Sequence, residues 1–147
     1  MDAVAGCFFL VRRKVLDQVG MFDEDFFMYG EEAEWCHRIA KEGWRIRYFP
    51  GAEIIHLYGA SSSQVEKETK VNKQKGTLLF LYKTSGSFWA WLANLIMAVG
   101  VLLRIPLWVI ADIFSLIVGH KVNKIWNKRF RVIWFHLVGL CYPAWKP

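Results

Sequence analysis

The longest apolar stretch of the chain is the feature that most constrains its fold. Residues 88–103 contain no charged side chain, and residues 107–119 contain only Asp112. Arg104 and Pro106 interrupt the stretch near its middle. One helical span across a bilayer needs about 20 apolar residues. The pattern predicts a re-entrant or interfacial helical hairpin, with one true crossing or two buried helices of a soluble bundle as the alternatives.

Charge is distributed unevenly along the chain. Residues 1–63 carry seven Lys/Arg and ten Asp/Glu, whereas residues 64–147 carry twelve and three. The cations of the second half flank the apolar stretch on both sides, which favours an anionic membrane surface over nucleic acid as the partner. Because both flanks are basic, the positive-inside rule places both at the cytoplasmic face of the cell membrane. We expect the cytoplasmic membrane as a partner and no nucleic acid.

The cysteines indicate a reducing compartment for the first half. Cys7, Cys36 and Cys141 are far apart, odd in number and form no CxxC pair. Such cysteines are typical of free thiols. The first residues have no basic segment of the kind that opens a secretory signal, so we expect the first half to lie in the cytosol.

Apolar periodicity and turn residues predict the elements of the first half. The predicted order is strand, helix, helix, strand, strand, over residues 4–13, 15–19, 31–42, 44–50 and 52–57. Gly20 and Gly43 are expected to end the two helices. This order predicts a piece of an α/β sheet.

The changes in composition divide the chain into four segments. We expect a catalytic-type α/β segment, a basic amphipathic connecting helix, a hydrophobic membrane segment and a basic, aromatic tail, over residues 1–63, 64–83, 84–119 and 120–147.

Three glutamates crowd the start of the second predicted helix. Glu31, Glu32 and Glu34 lie within four positions, directly after bulky apolar residues. In one interpretation they complement the helix dipole and face water. In the other, one of them is a general base whose pKa its neighbours raise. His56, at the end of a predicted strand, is either structural or a ligand.

A resemblance to a known family selects between these interpretations. The runs "FDEDFFMYGEEAEWC" and "GWRIRYFPGAEIIHLYGASS" follow a strand that ends in Arg12 and Arg13. Together they resemble the C-terminal half of the catalytic domain of family 2 glycosyltransferases, especially rhamnosyltransferase-like members, from Gly6 to Ser62. The resemblance implies an α/β fold, namely a partial GT-A (Rossmann-like) glycosyltransferase domain, followed by hydrophobic, membrane-associated helices.

The resemblance also implies roles for individual residues. Glu32 occupies the position of the general base that deprotonates the acceptor hydroxyl, and Glu31 precedes it in the catalytic pair. His56 occupies a position that ligates a divalent cation, Mg²⁺ or Mn²⁺. The residues expected to bind the acceptor are Phe27, Tyr29, Glu34 and Trp35.

The implied activity is inverting, metal-dependent sugar transfer. The resemblance implies a nucleotide-sugar donor, with rhamnose as the sugar, and a lipid-linked glycan acceptor in cell-surface polysaccharide assembly. Family members carry an earlier nucleotide-binding half with an Asp-x-Asp motif, for which residues 1–5 offer no counterpart. We therefore expect a C-terminal fragment, and the alternative is a non-catalytic membrane-associated remnant or a subunit that needs a separate donor-binding chain.

Overall fold

The computed structural model describes residues 2–56, 69–118 and 126–141, together with Pro143 and Lys146. These residues contain five helices: α1 (Arg13–Val19), α2 (Glu31–Lys41), α3 (Thr69–Ser85), α4 (Ser87–Ile117) and α5 (Trp126–Cys141). The predicted loop after residue 57, the start of the connecting helix and residues 120–125 of the predicted tail lie outside the described residues.

Glycines end the first two helices where the sequence predicts. Gly20 has a φ of 80°, and its N–H donates to the carbonyl of Leu16. Gly43, two residues beyond α2, has a φ of 82°. A left-handed residue after a helix favours glycine because it has no Cβ.

Trp35 is the centre of the core that joins α1 to α2. Its side chain is 4% exposed and packs with Val15 and Ile39. The indole Nε1–H donates to the carbonyl of Gly20 at 2.9 Å, and Phe9 lies edge-on to the ring with centroids 5.6 Å apart. The sequence places Trp35 at the margin of the apolar face of α2, whereas the structure places it inside.

The prediction of an α/β fold is wrong for the described residues. Residues 4–12 and 44–50 form neither helix nor strand, and residues 6–8 form a turn. Trp44 and Ile46 face inward whereas Arg45 and Arg47 are exposed, which is the alternation of a strand. A strand also needs a neighbour whose backbone N–H and C=O groups complete the ladder. Within the described ranges these runs have no such neighbour, so the ordered elements are helices and no GT-A sheet forms there.

The second half is a helical unit in which α4 packs on both α3 and α5. The residues of α4 that are buried follow one stripe and are Ala90, Asn94, Ala98 and Val101. Asn94 donates from Nδ2 to the carbonyl of His136 at 3.1 Å, and both side chains are fully buried. This hydrogen bond satisfies polar groups that would be costly to bury alone.

Helix α4 continues through Pro106, where the sequence predicts an interruption. Its 31 residues make it about 46 Å long at about 1.5 Å per residue. Most side chains beyond the buried stripe are exposed and apolar. Among the helices in the described ranges, α4 alone is long and apolar enough to cross a membrane, with a mean hydropathy of 2.0 over its most apolar window.

Candidate functional site

A small cleft lies beside the N-terminus of α2. Its volume is about 400 Å³, and both walls carry carboxylates. One wall is the turn at residues 22–27 and the other is the first turn of α2, with Gly6 from the N-terminal run between them. The residues that line the cleft are Gly6, Phe22, Asp23, Glu24, Phe26, Phe27, Glu31 and Glu32.

Glu31 is the carboxylate of the cleft whose environment is most unfavourable to charge. Burial raises the pKa of Glu31, and the neighbouring charge of Glu32 raises it further. Its Oε2 atom is enclosed and has no hydrogen-bond partner among the described residues. Since the folded protein holds this proton more tightly than the unfolded chain, ionisation of Glu31 lowers folding stability. That cost is absent below the ordinary pKa of 4.5 and complete above the raised pKa.

Glu32 is held against the N-terminal run by one backbone hydrogen bond. The N–H of Gly6 donates to Oε1 of Glu32 at 3.2 Å. A Cβ at position 6 would lie only 2.7 Å from Cγ of Glu32. Position 6 must therefore lack a side chain if Glu32 is to keep this rotamer. The second carboxylate oxygen, Oε2, stays available to a substrate hydroxyl in the cleft.

Phe27 lies in the cleft with the carboxylates, whereas Tyr29 lies outside it. Phe27 lines the cleft and is 75% exposed, which leaves its ring open to a ligand. Tyr29 does not line the cleft; its ring lies 4.9 Å from Nζ of Lys73 in α3. The acceptor-binding roles of Phe27 and Tyr29 stay predictions.

Glu34 and Trp35 lie away from the cleft and have partners of their own. Glu34 is 5% exposed and accepts two hydrogen bonds from Nε of Arg38, at 2.7 and 2.9 Å. This confirms the pairing expected from their spacing of four residues. Arg38 also donates to the carbonyls of Val19 and Met21, at 2.6 and 2.7 Å. The acceptor-binding role of Glu34 and Trp35 stays a prediction.

His56 is exposed at the end of an extended run. No group of three or more His, Cys, Asp or Glu side chains with metal-binding geometry exists within the described residues. A Mg²⁺ or Mn²⁺ ion needs several oxygen ligands around it. The described residues therefore do not fit a divalent cation, and its ligation by His56 stays a prediction.

Sequence reasoning misses three residues that shape the cleft. Gly6 admits the Glu32 side chain, and Lys83 of α3 binds Asp23 at 2.6 Å. Gly76 of α3 lies directly against the backbone of Tyr29. For Gly6 and Gly76 the signal in the sequence is a glycine within an otherwise apolar or basic run, which is typical of close backbone approach. The sequence has no such signal for Lys83.

A larger groove exists elsewhere but holds none of these carboxylates. It has a volume of about 1110 Å³ and is lined by residues between positions 3 and 12, by residues 43–49, and by Val15, Cys36 and Ile39 of α1 and α2. Its lining is mostly apolar, with Arg12, Arg45 and Arg47 on it. The smaller cleft is the candidate site, because it carries the glutamates that the sequence singles out.

Comparison with known proteins gives the family. The profile of "Glycosyltransferase like family 2" matches residues 1–72, a range that includes the whole cleft. Residues 1–72 are similar to this glycosyltransferase family. The chain is 35% identical over 86 residues to N-acetylglucosaminyl-diphospho-decaprenol L-rhamnosyltransferase of Mycobacterium tuberculosis, and the match covers 58% of this chain and 28% of that protein.

Two further relatives match part of the chain. Rhamnosyltransferase WbbL of Escherichia coli is 39% identical over 56 residues, which are 38% of this chain and 21% of that protein. Low-salt glycan biosynthesis hexosyltransferase Agl10 of Haloferax volcanii is 30% identical over 71 residues, 48% of this chain and 23% of that protein. The chain thus spans between a fifth and three tenths of the length of these relatives. No solved structure matches it.

Proposed function

We propose that this chain supplies the acceptor side of an inverting glycosyltransferase. The observation that carries the proposal is the cleft at the start of α2, where Glu31 and Glu32 face Phe27 and the acidic turn. All of these residues fall inside the segment that matches the family. A carboxylate on a helix start is a rigid support for a group that must meet a substrate at one distance.

In the proposed reaction Glu32 is the general base. An acceptor hydroxyl attacks the anomeric carbon of the donor sugar, and its proton passes to a carboxylate oxygen of Glu32. The new C–O bond forms as the bond from the anomeric carbon to the nucleotide diphosphate breaks, and the diphosphate leaves with the electron pair. Attack opposite the leaving group inverts the configuration. Glu31 stays beside Glu32 in the cleft.

Donor and acceptor are proposed from the relatives. The Mycobacterium tuberculosis and Escherichia coli proteins are named as rhamnosyltransferases, and the first name includes a decaprenol-linked diphospho-sugar. We propose that this chain transfers rhamnose from a nucleotide-sugar donor to a lipid-linked glycan acceptor. A divalent cation would supply positive charge to the leaving diphosphate, but the described residues form no site for it and the steps above do not depend on it.

The test is transfer of labelled rhamnose to lipid-linked acceptor. Membranes that contain the full chain are assayed alone and together with the donor-binding segment of a family 2 rhamnosyltransferase. We expect label in the lipid extract in at least one of the two assays. Absence of label in both, while the intact relative transfers under the same conditions, would overturn the proposal.

We further propose that α4 holds the chain at the cytoplasmic face of the membrane. Its exposed side chains are apolar along most of its length, and its aromatic N-terminal end carries Phe88, Trp89 and Trp91. The charge of Asp112 is compensated within the protein, since Nη1 of Arg129 lies 2.8 Å from it. Neutralising a charge in this way lowers the cost of placing it near lipid.

Membrane association can be tested on the outward face of α4. The variant replaces three residues that are 63–70% exposed by glutamine, namely Leu103, Leu107 and Ile110. It should release part of the protein from alkaline-washed membranes, because each change removes apolar contact with lipid. The matched control puts glutamine at three exposed apolar positions of the first half, Leu10, Tyr48 and Ile55. It should leave the sedimenting fraction unchanged. Wild-type protein that stays in solution without detergent would refute the assignment.

A second candidate function is favoured by the large groove. The extended runs that line it have no backbone partner among the described residues, and its surface is apolar with arginines at intervals. A separate donor-binding chain could dock on this surface, and the present chain would then act as one subunit of the enzyme. Where that partner is missing, it would be a non-catalytic remnant. Transfer that appears only in the mixed assay would favour the subunit.

A further inference from the structure

Helix α3 touches the acidic wall of the cleft through Lys83. Nζ of Lys83 lies 2.6 Å from Oδ2 of Asp23 and also pairs with Oδ2 of Asp25. The backbone N–H of Asp25 donates to Oδ1 of Asp23 at 3.0 Å, which closes the turn on itself. One lysine from a helix almost 60 residues later in the chain therefore bridges the two aspartates of the turn.

The electrostatics of this group favour the charged pair. Burial raises the pKa of Asp23, but the hydrogen bond and charge of Lys83 outweigh it, so the net pKa lies below the ordinary value. Burial likewise lowers the pKa of Lys83, and the two aspartates more than reverse this. The contact is thus an ion pair at neutral pH, with two acceptors on one cation.

The same helix supports the other wall through Gly76. A Cβ at Gly76 would lie 1.9 Å from the carbonyl oxygen of Tyr29, so the two backbones touch. Tyr29 has a φ of 70° and Gly30 a φ of 97°. The left-handed conformation is costly for a tyrosine and persists only where the surroundings enforce it. Here α3 packs against the turn that precedes Glu31 and Glu32.

We propose that α3 is a positioning element of the transfer site, in which Lys83 fixes the acidic wall of the cleft and Gly76 fixes the turn before the catalytic glutamates. This inference rests on the proposed function for its catalytic meaning. Lys83 does not line the cleft, so it is a positioning residue and not a catalytic one. It sets the separation of the two walls between which the acceptor must fit.

The test compares three variants of the full chain in detergent or nanodiscs. Lys83→Met removes the ion pair and keeps the length of the side chain, and Lys83→Arg restores a cation. Lys75→Met makes the same change at an exposed lysine of α3. The first measurement is amide hydrogen exchange of residues 22–32. We expect at least tenfold faster exchange in Lys83→Met only, with recovery in Lys83→Arg.

The second measurement is steady-state transfer in the assay that supports turnover. Lys83→Met should lower kcat/KM for the acceptor by up to about 10²-fold, as expected for a misplaced reacting group, and leave KM for the donor unchanged. Lys83→Arg should recover most of the loss.

The two measurements separate the inference from the function on which it rests. Exchange in Lys83→Met that equals wild type would overturn the inference whether or not the chain transfers sugar. Faster exchange with unchanged acceptor kcat/KM would also overturn it, since Lys83 would then be structural only. Absence of transfer in every variant, with faster exchange in Lys83→Met alone, would refute the proposed function and would support the role of Lys83 in fixing the acidic wall of the cleft.

Discussion

Replacing Glu32 by glutamine is expected to lower kcat for sugar transfer by about 10²–10⁴-fold, the usual contribution of a general base. Glutamine keeps the size of the side chain and can still accept the N–H of Gly6 at Oε1. It cannot take a proton from the acceptor hydroxyl. Donor binding should persist, because the substitution leaves every contact outside the acceptor cleft in place. Turnover and donor affinity are measured on the same preparation.

Glu42→Gln is the matched control for this prediction. Glu42 follows the other end of α2, is exposed and accepts a hydrogen bond from Gln18 at 3.2 Å, which glutamine can also accept. Its variant should transfer at the wild-type rate. If Glu32→Gln retained full turnover while Glu31→Gln abolished it, the base would be Glu31, whose carboxylate has the raised pKa. Full turnover in both variants would remove the carboxylate pair from the mechanism.

Substituting Gly76 by alanine is expected to destabilise the folded protein by about 1–3 kcal/mol, the usual cost of overpacking. The added methyl would meet a backbone carbonyl at 1.9 Å, and a backbone atom cannot rotate aside as a side chain does. Either α3 or the Tyr29–Gly30 turn must move. A loss of about 1 kcal/mol lowers Tm by about 2–4 °C in a chain of this size. Thermal unfolding in detergent measures the shift.

Gly100→Ala gives the same chemical change in α4 without the clash. The nearest atom to a Cβ at Gly100 is Nη1 of Arg104 at 3.9 Å, an ordinary contact. Alanine favours a helix over glycine by up to about 1 kcal/mol, so this variant should be neutral or more stable. Equal Tm values for Gly76→Ala and Gly100→Ala would show that α3 does not press on the turn.

The local features of the first half follow from the sequence because they depend on neighbours a few residues apart. Apolar periodicity predicts α1 and α2, and the left-handed glycines end them where expected. The Glu34–Arg38 pair follows from a spacing of one helical turn. For the apolar stretch the sequence predicts a helical hairpin, with a single crossing as one alternative, whereas the structure has one continuous helix through Pro106.

What the sequence cannot supply is contact between distant segments. Residues 44–50 alternate as a strand does, yet a strand is a property of a pair, and the described residues offer no partner. Lys83 is one of several lysines around α3, and only the packing of α3 against α2 shows that it meets Asp23 and Asp25. Helical periodicity places Trp35 at the margin of the apolar face of α2. It cannot show the contacts that bury this side chain, which come from the carbonyl of Gly20 and the ring of Phe9.

A single residue, Gly86, separates α3 from α4. The two helices also pack along each other through Leu78 and Ala90, so this junction does not act as a free hinge. A lipid bilayer adjusts the inclination of an embedded helix to its own thickness. A change in the inclination of α4 would therefore also move α3 and, with it, the walls of the cleft. Under the proposed function, the angle at which a lipid-linked acceptor meets Glu32 would therefore depend partly on the thickness of the bilayer.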